Sequence, residues 1–231
     1  MTFDHAKAEE ILGVTFTDKN LLTQAFIHRS FLNENPSVKL AHNERLEFLG
    51  DAVLELVITD FLYRTYPGKT EGELTSLRSA LVNTNSLSFT AQALEVNEFL
   101  LLSKGESRDT GRARGVILAN TFEAIIGAIY LDQKYDAARD FIHRNLIPKT
   151  AEILENNLMH DPKSYFQEKA QEFAGITPAY KVLSETGPDH AKTFTVGLFI
   201  GEELVVEGKG PSKQEAEQDA ARLGLTRKGW K

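Results

Sequence analysis

Asn43-Glu44-Arg45-Leu46-Glu47-Phe48-Leu49-Gly50-Asp51-Ala52-Val53 is the stretch that decides how this chain is read. In a helix, at about 100° per residue, Glu44, Glu47 and Asp51 fall within a sector of roughly 60°. Leu46, Leu49, Val53 and Leu56 point to the far side, so one face is a ridge of carboxylates and the other is core. Like charges three and four residues apart repel, and a solvated face usually intersperses lysines. Here only Arg45 interrupts, and it points away from the acids. A ridge of this kind is either an amphipathic helix that happens to be acidic or a site for a divalent cation, since hard ions such as Mg²⁺ take oxygen ligands from a few carboxylates. Phe48 falls at the edge of the acid sector, where a monomer would expose it, so the run also predicts an interface.

A second helical run covers Leu118 to Leu131. Phe122, Ile125, Ile126 and Ile129 form its buried stripe. Asn120 and Glu123 lie three residues apart on another side, with Gly127 one turn on, where the missing side chain allows close approach of another helix or a ligand.

Taken together, NERLEFLGDAVLEL and the later LANTFEAIIGAIYLD resemble the ribonuclease III family. His28-Arg29-Ser30 and the segment EGELTSLRSALVN, which opens at Glu71-Gly72, extend the match. The C-terminal third fits the family's double-stranded RNA-binding domain, so the resemblance covers essentially the whole chain. It implies an all-α endonuclease domain followed by a small α+β domain of order α-β-β-β-α. The matching acids Glu47, Asp51 and Glu123 would hold catalytic Mg²⁺, with Mn²⁺ as a substitute, and Asn120 would stand as a further ligand. Glu44 and Glu71 would lie nearby on the RNA-facing side. Phe48 would pack into the partner of a homodimer. The activity implied is Mg²⁺-dependent cleavage of double-stranded RNA to 5′-phosphate and 3′-hydroxyl ends with short 3′ overhangs. Ribosomal RNA precursors and structured messenger RNAs are the implied substrates.

Asn120 departs from the commoner pattern, which has Asp at this position. An amide oxygen still ligates a hard cation but brings no charge, so three anionic ligands remain. Cleavage is therefore expected to survive with a higher Mg²⁺ requirement.

Composition sets the outer bounds. The 231 residues are 42% hydrophobic and 26% charged, as in an ordinary globular protein, with a net charge of −7. Residues 161–231 hold ten Lys or Arg and eleven Asp or Glu, leaving −6 to residues 1–160. Acids at the metal site account for much of that excess, so local placement governs RNA binding rather than overall charge. The chain has no cysteine, which excludes disulfides and thiolate metal sites and fits a cytoplasmic location. No apolar run approaches the ~20 residues of a membrane helix, and the first residues lack a secretory pattern.

Helical spacing fills residues 5–148, the expected catalytic domain, with turns at Asn35-Pro36 and Pro67-Gly68. The polar loop 104–111, followed by Arg112 and Arg114, reads either as a solvated connection or as a phosphate contact. Residues 149–160 read as a partly helical connection, and 161–230 as the RNA-binding domain. There Asp161-Pro162 starts a helix that ends at Gly175. Strands are expected at Ala179–Thr186, Thr193–Ile200 and Glu203–Glu207, with Leu204 and Val206 sharing a face. Ser212 with Glu215 reads as a capping box opening a last helix packed through Ala216, Ala220 and Leu223. An A-form duplex offers its minor groove and phosphates rather than readable sequence. By resemblance, Gln167, Glu168 and His190 would meet the minor groove. Lys209, Ser212 and Lys213 would bind phosphate at a helix N-terminus, while Gln214 replaces a basic residue common in the family.

Two other functions compete. A protein that binds duplex RNA without cutting it is favoured only by Asn120, and the retained acids argue against it. A di-iron helix bundle needs Glu-x-x-His motifs, which neither acidic run supplies.

Overall fold

The computed structural model describes residues 3–108, 110–155, 161–188 and 192–230. The chain forms two compact units, Met1–Asn156 and Asn157–Lys231.

The first unit is helical: α1 (His5–Leu12), α2 (Lys19–Ala25), α3 (Arg29–Glu34), α4 (Glu44–Thr65), α5 (Glu71–Val82), α6 (Thr84–Ala93), α7 (Arg112–Leu146) and α8 (Lys149–Glu155). Its centre is the crossing of α4 on α7. Gly50 and Gly127 meet there, and a Cβ on either would overlap the backbone of the other helix, at Glu123 and Leu46 respectively. This brings the polar face of α7 against the acidic face of α4. Leu46, Val53, Leu54, Val57 and Ile58 of α4 are buried with Phe122, Ile125, Ile126 and Ile129 of α7. Leu56, which the helical projection puts on the core side, is instead 57% exposed. The core face of α4 is rotated towards Leu54 and Ile58, because the glycine crossing fixes which side meets α7.

By length and composition α7 could cross a membrane. Here its apolar side chains form the core of the unit. It kinks at Lys134 (φ 72°, ψ −171°). The residues before the kink hold the segment that leads into α2: the Asp132 carboxylate accepts from the N–H groups of Thr17 and Asp18, and Gln133 donates to the Thr15 carbonyl. Residues 149–155 pack with the first unit as α8, burying Thr150 and Ile153, so the helical part of the expected connection is not a free linker.

The second unit runs α9 (Pro162–Ala174), β1 (Ala179–Thr186), β2 (Thr193–Ile200), β3 (Glu203–Gly210) and α10 (Lys213–Lys228). The three strands form an antiparallel sheet in sequence order. The Asp161 side chain caps α9 by accepting from Ser164 N–H. Phe166, Ala170, Leu198, Val205, Ala220 and Ala221 form the core, with Trp230 packed on it. Three expectations fail in detail. β3 continues through Gly210. A register shift pairs Phe199 with Leu204 but Leu198 with Val206, which turns Val205 inward and leaves Leu204 exposed. On α10, Leu223 is exposed and the next residue, Gly224, sits against Phe166 and Leu198 instead.

Candidate active site and nucleic-acid interface

Local contacts fix where the α4 ridge begins. Asn43 is buried; its N–H donates to the Ile27 carbonyl at 2.9 Å and its side-chain amide to the Ala25 carbonyl at 3.1 Å. Glu44 follows as the first helical residue. It lies between Arg29, Nη1 to Oε1 at 3.5 Å, and His42, Nδ1 to Oε2 at 3.7 Å. One turn on, Glu47 is pushed up by burial and by the charges of Glu44 and Asp51. A hydrogen bond from the Asn120 amide opposes that shift. Across the crossing, Glu123 is pushed up to about 8, first by burial and then by Asp51, Glu47 and Glu55. The structure therefore brings together Glu47, Asp51, Asn120 and Glu123, with Glu44 beside them.

Among the described residues no cation pairs with Glu47, Asp51 or Glu123, and no three His, Asp or Glu side chains already stand as a formed metal cage. The donor set, three carboxylates and an amide oxygen, fits a hard divalent cation. The raised Glu47 and Glu123 are what such a set shows when protons do the neutralising.

Glu71 stands on a different element. It is the first residue of α5, presented by a capping box in which Thr70 Oγ1 accepts from Glu73 N–H and the Glu73 carboxylate accepts from Thr70 N–H. Those bonds, with Lys69, hold Glu73 down to about 2. Glu71 lines a cavity of about 440 Å³ with Thr59, Leu62, Tyr63, Leu74 and Arg78. Phe48 is 81% exposed, as its place beside the ridge predicts, and Tyr63 is 73% exposed further along α4. The loop after Ser103 is fastened to α3: Ser103 N–H donates to Ser30 Oγ and Lys104 N–H to the Glu34 carboxylate.

In the second unit Gln167 and Glu168 are exposed on α9. Ser212 caps α10 by accepting from Glu215 N–H at 3.2 Å, one half of the expected box. Lys213 is exposed, 3.7 Å from Glu185. Lys209 is exposed, and its backbone N–H donates to Asp219. His190 lies outside the described residues. Sequence reasoning did not single out Glu55, whose charge reaches Glu123, Arg78, which pairs with Glu55, or Glu185, which lies near Lys213; of these, only Glu55 carried a signal, its four-residue spacing from Asp51.

A helical unit with a carboxylate cluster, followed by an α-β-β-β-α unit, defines a nuclease joined to an RNA-binding domain. Comparison with known proteins agrees. Residues 18–150 match the family described as ribonuclease-III-like, and residues 162–227 match the double-stranded RNA binding motif. The chain is 48% identical to ribonuclease 3 of Protochlamydia amoebophila over 219 residues, spanning 95% of this chain and 90% of that one. It is 46% identical to ribonuclease 3 of Pelotomaculum thermopropionicum over 214 residues, 93% and 89% of the two chains. Among solved structures, the nuclease domain of Campylobacter jejuni ribonuclease III aligns with a TM-score of 0.55 and 40% identity, covering 62% of this chain and 98% of that one. That structure is described for flexibility in a region involved in dimer formation. The chain belongs to the ribonuclease III family and is an endoribonuclease.

Proposed function

We propose that this endoribonuclease hydrolyses double-stranded RNA with Mg²⁺, or Mn²⁺ in its place, held by Glu47, Asp51, Asn120 and Glu123. The observation that carries the reading is the α4–α7 crossing, which sets Glu47, Asp51, Asn120 and Glu123 together, with burial and the neighbouring acids pushing Glu123 up to about 8. A site that binds a divalent ion in place of protons has this character. When bound, the ion supplies Lewis-acid polarisation of the phosphate and a lower pKa for water. The chain's own residues do the rest. Asn120 keeps Glu47 oriented through its amide, and Glu44 stands at the rim facing the strand. In the reaction water adds to phosphorus and the 3′-oxygen leaves, giving a 5′-phosphate and a 3′-hydroxyl. Asn120 leaves three anionic ligands, so half-maximal cleavage takes more Mg²⁺ here than in an Asn120→Asp variant.

The second unit presents Gln167 and Glu168 to the minor groove, and Lys209, Ser212 and Lys213 to phosphates; a minor-groove role for His190 rests on the family resemblance alone. The enzyme acts as a homodimer. Phe48, Leu56 and Tyr63 share one face of α4, within roughly 80°, and are spaced almost evenly about Leu56. A two-fold antiparallel pairing, in which one patch meets its own copy, sets Phe48 of one copy beside Tyr63 and its cavity on the other. Two sites then cut opposite strands and leave a short 3′ overhang. Its substrates are ribosomal RNA precursors and structured messenger RNAs in the cytoplasm.

End mapping of a long duplex cut with Mg²⁺, beside an EDTA control, tests the reading. Products with 5′-phosphates, 3′-hydroxyls and a constant short 3′ overhang are expected. Products with 3′-phosphates, or cutting undiminished in EDTA, would contradict it. Duplex binding with no cutting at any Mg²⁺ concentration would favour the regulatory alternative.

A further inference from the structure

The acidic ridge of α4 continues one turn beyond the residues placed at the metal site. Glu55 follows Asp51 by four residues, which puts the two side chains next to one another on one face of the helix. Arg78 of α5 holds Glu55, Nε to Oε2 at 3.0 Å, and both side chains are about one-third exposed, at 34% and 37%. The same guanidinium donates from Nη1 to Thr59 Oγ1, again at 3.0 Å, one turn further along α4. Glu55 is thus gripped from α5 while its neighbour Asp51 faces the cluster. Its charge still falls on Glu123. At the other end of the ridge Arg29 meets Glu44 more loosely, at 3.5 Å.

We propose that Glu55 and Arg78 form a charge-setting pair for the metal site, in which Arg78 withholds a fourth carboxylate from the ion and offsets part of its charge. Arg78 is a positioning residue in this account, not a catalytic one. The inference rests on the assignment of Glu47, Asp51, Asn120 and Glu123 as the metal-binding set. That set carries three negative charges because residue 120 is an amide. A released Glu55 would raise the negative charge near the ion to four and offer it a competing ligand. With Arg78 in place that carboxylate is engaged by the guanidinium and its charge at the site is reduced.

Sign-opposed effects on Mg²⁺ binding separate this from a plain structural clasp. Mg²⁺ alone is titrated by calorimetry into the full-length protein without RNA, and the Mg²⁺-induced rise in melting temperature is the second readout. Because Arg78 also lines the cavity beside Tyr63, each variant is compared at a matched assembly state, checked by sedimentation. Arg78→Gln is expected to bind Mg²⁺ roughly three- to tenfold more tightly and Glu55→Gln to bind it weaker by a similar factor. The double variant should return close to the wild-type value, and Arg78→Lys, which keeps the charge, should stay near it. Equal affinities across the set, with the single variants only melting earlier, would overturn the proposal, as would an Arg78→Lys shift like that of Arg78→Gln. If the wild type binds no Mg²⁺ and behaves as Glu123→Gln does, the metal site itself falls, and this proposal with it.

Discussion

At Glu123, burial and the charges of Asp51, Glu47 and Glu55 hold the proton on the carboxyl up to about pH 8, against an ordinary value of 4.5. Between those values the folded state binds more protons at this position than the unfolded state. Its contribution to stability is therefore fully present below pH 4.5 and is lost as the pH rises through about 8. His28 works the other way, since burial lowers its value below 6.5, but it has no further effect above that pH. Melting curves in EDTA from pH 6.5 to 8.5 should show the wild type losing stability while Glu123→Gln stays nearly flat; parallel curves would mean that Glu123 is ionised throughout. The residue was legible only in company. An Asn and a Glu three apart on a helix mean little alone, and the acidic run at Glu44, Glu47 and Asp51 gave them a partner. Arg78 and Glu185 left no trace, because an ion pair across elements has no fixed spacing in sequence.

Among the elements, α7 shows most clearly where pattern reading succeeds and where it stops. Its buried stripe and Gly127 follow from helical periodicity and the space the α4 crossing requires. The kink at Lys134 does not, since lysine is a good helix former and nothing nearby is a breaker. A conformation close to glycine-only, costing about 1–3 kcal/mol, is forced there on Lys134. Asp132 and Gln133 offset it through their three bonds to residues 15–18. Lys134→Gly should therefore stabilise the protein by about 1 kcal/mol, the relieved strain less the extra freedom of glycine in the unfolded chain. A loss of similar size in chemical denaturation, as for glycine inside a regular helix, would show that the kink carries no strain. Leu204, Leu223 and Leu56 were misplaced for a related reason. A bulge, a small residue at a contact and a rotated crossing each shift a face by one position, and period alone cannot see them.

For the molecule as a whole, the charge of −7 is a poor guide to a protein that grips a polyanion. Glu44, Glu47, Asp51 and Glu123 are gathered where the cation is proposed to bind, and the lysine that would meet phosphate, Lys213, stands at the start of α10. Assembly is the other whole-molecule property, and the exposed apolar face of α4 is the surface proposed for it. Exposed apolar stripes of this kind mark interaction surfaces. Phe48→Glu should convert the dimer to monomer in sedimentation velocity at micromolar protein, and an unchanged dimer would move the interface elsewhere. The central claim is that the carboxylate cluster cuts the RNA that the second unit holds. Cleavage and binding of one long RNA duplex, measured side by side in Mg²⁺ for the wild type and Glu123→Gln, test it most directly. Cleavage should fall by on the order of a hundredfold or more while duplex affinity stays within about twofold of the wild type, because base-independent contacts of the second unit dominate binding. A variant that cuts at the wild-type rate would contradict it.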